Sequence, residues 1–581
     1  RVAAHKRAAR QSHRAKGRSL GFGLGFAVLV SFALAQAPRG QVTDLSVEQL
    51  VVGDKGYAVT AGAGNVLERF PVEVIGVQWD GGAGFPLVLV RASGPFIEAT
   101  GGVAAGMSGS PVYIVTEGGD ALIGAIGYVF PRADHDLALV TPIEVMRKAV
   151  TERMPPFVEV PGVGVAVPAA TPILMTGVSA RAAQLLGPLV KDTRFELFSA
   201  QGGGGILPPG TPLASELVPG SPLAVSLAWG DVSIQAIGTV TTVEGDQVLA
   251  FGHPFLGLGE VAFPIAPAHI TAIVPSAEVP FKLANAGTAV LGAIEQDRPG
   301  AIAGRLGVAP ASVRVELSLV GSGPATTYAF ETAADDRLYP NIVGSGVLAL
   351  LDRYLGATTG GYAEVAWEIG LASGERVNVL EQTNDPDDIA YRAAVLAFSP
   401  LAILASNQFS ESNVTQVALA IRIDDRQRVA SLEEAVAEEP VVTAGENAIV
   451  HLRLQPYRQS AIVRNISVPL PADLEGEVTL LIRGGDVARD TGDADVDEQE
   501  VDRPRSYREL LDALRQQVQA SELVVEVVTP DGKVLRLLRT PFAFVVEGRE
   551  SLDLTVAAPA SAPSEDDAES GGLPPEGGSD E

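Results

Sequence analysis

The residues with the most evident chemical potential are a serine set among glycines and a histidine at the end of an apolar stretch. Ser108 stands in the run GGVAAGMSGSPVYI, which covers residues 101–114 and ends in a strand-like segment. Glycines let the backbone turn sharply, so the amides of Gly106 and Ser108 can point at one spot as an oxyanion hole. The alternative is a plain turn between two strands, which small residues form more often.

A serine hydroxyl becomes an effective nucleophile when a base takes its proton, and the chain offers few histidines for this role. Beyond residue 35 they are His135, His253, His269 and His451. His253 comes after the strand-like residues 247–251 and has a glycine beside it, a position that typically faces a cleft. We therefore predict Ser108 as the nucleophile and His253 as the general base. A histidine that packs in the core or caps a turn is the structural alternative.

Two separate regions around these residues resemble the SpoIVB peptidase family of serine peptidases. Residues 101–111, with Ile123-Gly124-Ala125 downstream, look like the family's nucleophile region. Residues 237–241, followed by 249–253, are similar to its catalytic-histidine region. The resemblance implies a chymotrypsin-like serine endopeptidase in which Ser108, rather than Ser110, attacks the peptide carbonyl. It also implies limited cleavage of protein substrates through an acyl-enzyme, without a metal or an organic cofactor.

The chain departs from the family pattern in the order of its motifs and in its acid. In the family the histidine motif precedes the serine motif, whereas here Ser108 precedes His253, so the order is permuted. The family's aspartate fifteen residues before the nucleophile corresponds to Ser93, which can orient a histidine but supplies no negative charge. Ser93 is therefore a possible third member of the site. Three carboxylates are substitutes that the sequence does not rank: Asp134, Asp136 and Glu260.

The missing aspartate leaves open an interpretation from another class of function. In that interpretation the chain is a noncatalytic, degenerate peptidase that serves as an envelope-associated binding or scaffold protein. The serine at position 93 favours this interpretation. The retention of Ser108 with its flanking glycines, together with His253, favours the enzyme.

The composition excludes several classes of chemistry and of partner. The chain has 581 residues and no cysteine, so disulfides, thiolate catalysis, zinc ribbons and iron–sulfur ligation are excluded. Beyond residue 35 it carries 35 Lys and Arg against 70 Asp and Glu, a balance that repels phosphate backbones, so we expect no nucleic-acid partner. The expected partner is a protein or peptide substrate, and the oligomeric state stays open.

The first 35 residues have the plan of a signal peptide. Residues 1–18 carry seven Lys and Arg and no acid, residues 20–33 are apolar, and Ala33-Leu34-Ala35 has the small-x-small form of a cleavage site. We therefore expect export to the periplasm, the cell envelope or the exterior. If the segment is not cleaved, it would instead hold the protein at the membrane.

The pattern of apolar runs and turn residues predicts a mainly β protein with several domains. The resemblance implies that the core is a chymotrypsin-like pair of β-barrels, and the pattern adds an α+β segment and a C-terminal β-sandwich-like domain. The predicted boundaries are 1–35 signal peptide, 42–160 β domain with the nucleophile, 161–214 connecting segment, 215–330 β domain with the histidine, 331–439 α+β segment, 440–485 β-sandwich-like domain, 486–505 acidic linker, 506–556 α/β segment and 557–581 disordered acidic tail. Helices are predicted at 141–153, 179–186, 342–355 and 388–404, and from Ser506, which forms a capping-box pattern with Glu509.

Overall fold

The computed structural model of the protein describes residues 43–79, 84–130, 133–151, 167–187, 195–200, 217–488, 504–529 and 532–559. The predicted signal peptide lies outside these residues, as do much of the connecting segment, most of the acidic linker and nearly all of the acidic tail. Among the helices of the described residues, none is long and apolar enough to cross a membrane.

The fold is mainly β and contains the predicted chymotrypsin-like pair of closed barrels. The first sheet contains β1 (Thr43–Asp44), β2 (Lys55–Ala61), β3 (Leu67–Gln78), β4 (Leu87–Ala92), β5 (Pro111–Thr116), β6 (Gly119–Val129), β7 (Leu137–Pro142) and β8 (Val167–Pro168). Six of these strands, β2 to β7, form a closed ring because β2 pairs with both β3 and β5, and β7 with both β4 and β6. Alternate side chains fill the interior, among them Phe70 and Ile126.

The second barrel is formed by strands of a larger sheet. Its strands are β9 (Thr171–Thr176), β10 (Phe195–Ala200), β11 (Pro222–Gly230), β12 (Ser233–Glu244), β13 (Gln247–Ala250), β14 (Gly259–Val274), β15 (Phe281–Ala286), β16 (Gly292–Arg298) and β17 (Ala301–Leu306). The ring runs β11, β12, β13, β17, β16, β14 and back to β11. Within the described sheet, β15 is an edge strand that pairs with β14.

The α+β segment continues the sheet of the second barrel. It consists of β18 (Ser312–Val320), β19 (Thr326–Ala333), β20 (Gly361–Leu371), β21 (Arg376–Asp385) and β22 (Val414–Asp424). β19 pairs with β11 of the barrel, so the predicted boundary at residue 330 falls inside a strand. Two long helices, α4 (Tyr339–Leu355) and α5 (Ile389–Ala405), pack on these strands and on each other. Three shorter helices precede them in the chain: α1 (Pro95–Thr100), α2 (Ile143–Thr151) and α3 (Ala180–Gln184).

The C-terminal region is a β-sandwich that is larger than predicted. Its strands are β23 (Val429–Ala437), β24 (Val441–Thr443), β25 (Asn447–Pro456), β26 (Ile462–Pro469), β27 (Gly476–Gly484), β28 (Glu522–Val528), β29 (Val534–Pro541), β30 (Val545–Glu547) and β31 (Arg549–Ala557). β27 pairs with β28 and β31, so the segments predicted separately at 440–485 and 506–556 share one core. Between them α6 (Tyr507–Arg515) begins as predicted at Ser506, whose hydroxyl accepts the Glu509 amide.

The two barrels approach each other through glycines. A Cβ placed on Gly109 of the first barrel would lie 1.9 Å from the Thr239 carbonyl oxygen and 2.5 Å from the Phe251 nitrogen of the second. A Cβ on Gly127 would lie 2.1 Å from the Gly252 carbonyl oxygen. Since real side chains do not fit at such distances, main chain touches main chain along this seam. The seam therefore places the segments that carry Ser108 and His253 beside each other.

Replacing Gly109 by alanine should destabilise the protein much more than the backbone strain alone would. Gly53 is the matched control, because it also has a left-handed backbone, φ +94° against +91° for Gly109, but nothing lies within 4 Å of its added Cβ. We expect Gly53→Ala to lower the free energy of unfolding by about 1 kcal/mol and Gly109→Ala by about 3 kcal/mol or more, because strand β12 must move. Denaturant unfolding of the two variants measures the difference. Equal losses would contradict the close seam.

Candidate active site

The Ser108 segment is a loop between α1 and β5 whose main-chain carbonyls are held by neighbouring strands. The Ala105 oxygen accepts the Lys282 amide at 2.9 Å, and the Gly106 oxygen accepts the Thr239 hydroxyl at 2.9 Å. The Ser108 oxygen accepts the Thr239 amide, also at 2.9 Å. The loop is thus pinned from the second barrel by β12 and β15.

Two amides of this loop are left without an acceptor among the described residues, and they are those of Gly106 and Ser108. In a trans peptide the N–H points away from the preceding carbonyl. Because the Ala105 carbonyl is anchored to Lys282, and the Met107 carbonyl accepts the Ser110 amide at 3.0 Å, both free N–H groups are directed away from those anchors. These are the amides that the sequence predicted for an oxyanion hole.

The two serines of the loop differ in what their hydroxyls do. Ser110 donates its hydroxyl to the Met107 carbonyl oxygen at 2.6 Å and is fully buried. Ser108 is 1 % exposed, and its Oγ has no hydrogen-bond partner among the described residues. A buried hydroxyl without a partner is costly. Of the two serines, Ser108 therefore carries the hydroxyl without a hydrogen-bond partner among the described residues.

His253 is held in one orientation by its surroundings. The chain leaves β13 through Phe251, which has a left-handed backbone with φ +68° that is strained for a non-glycine residue. The His253 ring then packs edge-on to Tyr128 of the first barrel, with ring centroids 6.4 Å apart. Its Nδ1 lies 2.7 Å from the Pro254 carbonyl oxygen. A carbonyl only accepts, so Nδ1 carries the proton and Nε2 presents a free lone pair.

Nε2 is the atom that a general base would use, and it is buried without a partner among the described residues. Burial lowers the pKa of His253 to about 4, against a smaller upward effect of the Pro254 carbonyl. The imidazole is therefore neutral at pH 7 and able to accept a proton. No hydrogen bond joins it to Ser108 in the described structure, although the two residues flank the same glycine seam.

The structure does not bring Ser93 to His253. Ser93 is exposed and lines a surface cleft beside α1 together with Asp134 and His135, while the Nδ1 position that a third member would occupy is taken by the Pro254 carbonyl. The alternative acids are also elsewhere. Asp136 pairs with Arg91 at 3.3 Å, and Glu260 is exposed on β14. The group that orients His253 is thus a main-chain carbonyl.

Sequence reasoning missed Asp297, a buried carboxylate next to the histidine segment. Its oxygens accept the amides of Phe255, Leu256 and Leu258 at 2.7, 2.8 and 3.2 Å, and so fix the turn that follows His253. Burial raises the pKa of Asp297, while these backbone N–H groups act in the opposite direction. No spacing in the sequence links position 297 to position 253.

Sequence reasoning also missed Lys282 on β15. The side chain is fully buried, and Nζ donates to the hydroxyls of Thr60 at 2.8 Å and Thr239 at 3.2 Å. Burial lowers the pKa of Lys282 to about 7. The sequence carries a signal for its inward orientation, because Lys282 alternates with Ala284 and Ala286 in the period-two pattern of a strand.

Comparison of the chain with protein-family models, with curated proteins and with solved structures found no match. The assignment of a reaction therefore depends on the geometry of the two buried side chains and on the motifs around them.

The buried Lys282 should make the stability of the protein depend on alkaline pH. Its pKa is about 7 in the folded protein and 10.5 as its ordinary value, so folding expels a proton between these limits. Stability then rises with pH through that window, by about 2 kcal/mol between pH 7 and pH 9. Lys282→Met should abolish this rise, and Lys55→Met, which removes an exposed lysine from β2, should keep it. Denaturant unfolding at both pH values measures the effect, and an unchanged rise in Lys282→Met would contradict it.

Proposed function

We propose that the protein is an exported serine endopeptidase, similar to the SpoIVB peptidases, that cleaves protein substrates in a limited manner through an acyl-enzyme. The observation that supports this most is the pair of buried atoms without partners, Ser108 Oγ and His253 Nε2, on the two sides of one seam between the barrels. The two free amides of the serine loop add the electrostatic element that acyl transfer requires.

The proposed reaction uses each group in a defined role. Ser108 Oγ attacks the substrate carbonyl while its proton passes to His253 Nε2. The resulting oxyanion accepts the amides of Gly106 and Ser108, and the imidazolium keeps its Nδ1–H bond to the Pro254 carbonyl. His253 then protonates the leaving amine, and a water molecule hydrolyses the ester on Ser108 with the same histidine as base. No metal or organic cofactor takes part in this scheme.

Two features of the site account for limited rather than bulk cleavage. Ser108 and His253 are each 1 % exposed, so a substrate reaches them only if it displaces the groups that cover them while the contacts of Thr239 with the serine loop stay in place. A neutral carbonyl also stabilises an imidazolium less well than a carboxylate does. Both features slow the reaction and restrict it to segments that can enter the seam.

The second candidate function is the noncatalytic binding or scaffold protein. The specific observation in its favour is the contact of His253 Nδ1 with a carbonyl instead of a carboxylate, which matches a peptidase that has lost its acid. In that case Ser108 and His253 would be remnants, and the protein would bind exported partners through other surfaces.

A fluorophosphonate probe, which forms a covalent bond to an activated serine, separates these functions. We expect labelling of the wild type on Ser108, none in Ser108→Ala, and labelling at least about 100-fold slower in His253→Ala, because a general base contributes that much or more. Ser93→Ala is the matched control, since the exposed Ser93 should leave the rate unchanged. Peptide mapping of the adduct identifies the residue. Absence of labelling in the wild type, or equal labelling of Ser108→Ala, would rule out the enzyme.

A further inference from the structure

The second barrel inserts a lysine beneath the serine loop of the first barrel. The hairpin of β14 and β15 extends across the seam, and the edge of β15 opposite β14 joins the loop through a parallel bridge. In this bridge the Ala105 amide donates to the Pro280 carbonyl at 2.7 Å, and the Lys282 amide donates to the Ala105 carbonyl at 2.9 Å. The backbone of Lys282 thus sets the peptide plane from which the Gly106 N–H projects.

The side chain of Lys282 lies directly against the same glycine. A Cβ on Gly106 would be 3.2 Å from both Cβ and Cδ of Lys282, so the lysine stem fills the space that a side chain would need. Beyond the stem, Nζ donates to the Thr239 hydroxyl, which in turn donates to the Gly106 carbonyl. A continuous chain of hydrogen bonds therefore runs from the ammonium to the Gly106 carbonyl, which belongs to the peptide that follows the free Gly106 N–H.

The surroundings of Nζ contain no counter-charge within the described structure. The groups that face it are the Thr60 hydroxyl from β2, the Thr239 hydroxyl from β12 and the main chain of the serine loop, all of them neutral. Burial is the cause that lowers the pKa of Lys282, with no contribution from a charged neighbour. An uncompensated buried cation is costly for folding, and such groups concentrate where chemistry needs them.

We propose that Lys282 is a positioning residue of the oxyanion hole: its main-chain amide holds the peptide before Gly106, its ammonium holds the peptide after Gly106 through Thr239, and the ammonium supplies positive potential to the two free amides. This inference rests on the proposed peptidase function. Because Nζ makes no hydrogen bond to Ser108 Oγ in the structure, the lysine acts through Thr239 and Gly106 rather than as the base. The reactive form of the site then has His253 neutral and Lys282 charged.

The two groups predict a bell-shaped dependence of reactivity on pH. The rate of Ser108 phosphonylation should rise as His253 loses its proton near pH 4 and fall as Lys282 loses its proton near pH 7. The alkaline limb distinguishes the positioning role from catalysis by a lysine base, since a base would make the rate rise through pH 7.

The test measures the rate of fluorophosphonate labelling between pH 3.5 and pH 9 in three lysine variants and the wild type. Lys282→Met should react at least about 10-fold more slowly at pH 6, because a positive charge near the oxyanion is lost, and should show no alkaline limb. Lys282→Arg keeps a charge at all these pH values, so it should retain the rate and lose the limb. Lys55→Met, an exposed control, should match the wild type.

Thr60→Val keeps the test decisive if replacement of Lys282 prevents folding. This variant leaves the lysine in place but removes one of the two hydroxyls that accept from Nζ, so the alkaline limb should move to lower pH. Circular dichroism establishes that each variant is folded. An alkaline limb that persists in folded Lys282→Met, or that stays in place in Thr60→Val, overturns the inference alone. A wild type without labelling at Ser108 overturns the proposed function instead.

Discussion

The contact between the serine loop and strand β12 is the interaction on which the rest of the site depends. Thr239 holds the loop three times: its amide binds the Ser108 carbonyl, its hydroxyl binds the Gly106 carbonyl, and its own carbonyl lies against the Cα of Gly109. Two residues further along the strand, Thr241 donates its hydroxyl to the Gly109 carbonyl at 2.8 Å. Because these contacts use the carbonyls as acceptors and leave the two amides without an acceptor among the described residues, the docking of the barrels leaves both amides available for the proposed oxyanion hole.

The pKa values of the titratable groups at the seam follow from their burial. A histidine, a lysine and an aspartate are buried within or next to it, and each is supported by neutral partners: a carbonyl, two hydroxyls and a set of backbone amides. In such surroundings a charge is expensive, so the pKa values of His253 and Lys282 are lowered and that of Asp297 is raised. The same low polarity strengthens every interaction with a developing oxyanion.

Much of the architecture could be predicted from the sequence, because short apolar runs separated by turn residues identify strands. The helix predicted at 388–404 is α5 (Ile389–Ala405), and a helix begins at Ser506 as the capping-box pattern predicts. The closure of the two barrels is expected from the resemblance and not from the apolar pattern, since strands that pair are far apart in the chain. The sequence predicts two separate domains in place of one sandwich, because an acidic stretch lies between them. In the structure β27 and β28 pair across that stretch.

The candidate site could be predicted only for the residues that carry a local pattern. Ser108 and the two amides follow from glycine spacing, and His253 from its place after a strand. The prediction of Ser93 as a third member of the site depends on its spacing of fifteen residues from Ser108. In the structure Ser93 is exposed, and its amide donates a hydrogen bond to the Pro71 carbonyl. The period-two pattern of β15 indicates that Lys282 faces inward, but the approach of Lys282 and Asp297 to the site depends on the pairing of β15 and of β16 with β14, which has no local signature.

The most direct measurement of the central claim is a crystal structure of the protein after reaction with a fluorophosphonate. The account predicts a phosphorus atom bonded to Ser108 Oγ and a phosphoryl oxygen about 3 Å from the nitrogens of both Gly106 and Ser108. It also predicts His253 Nε2 within hydrogen-bond reach of the adduct, with Nδ1 still on the Pro254 carbonyl. An adduct on another residue, or a phosphoryl oxygen directed away from the two amides, would contradict it.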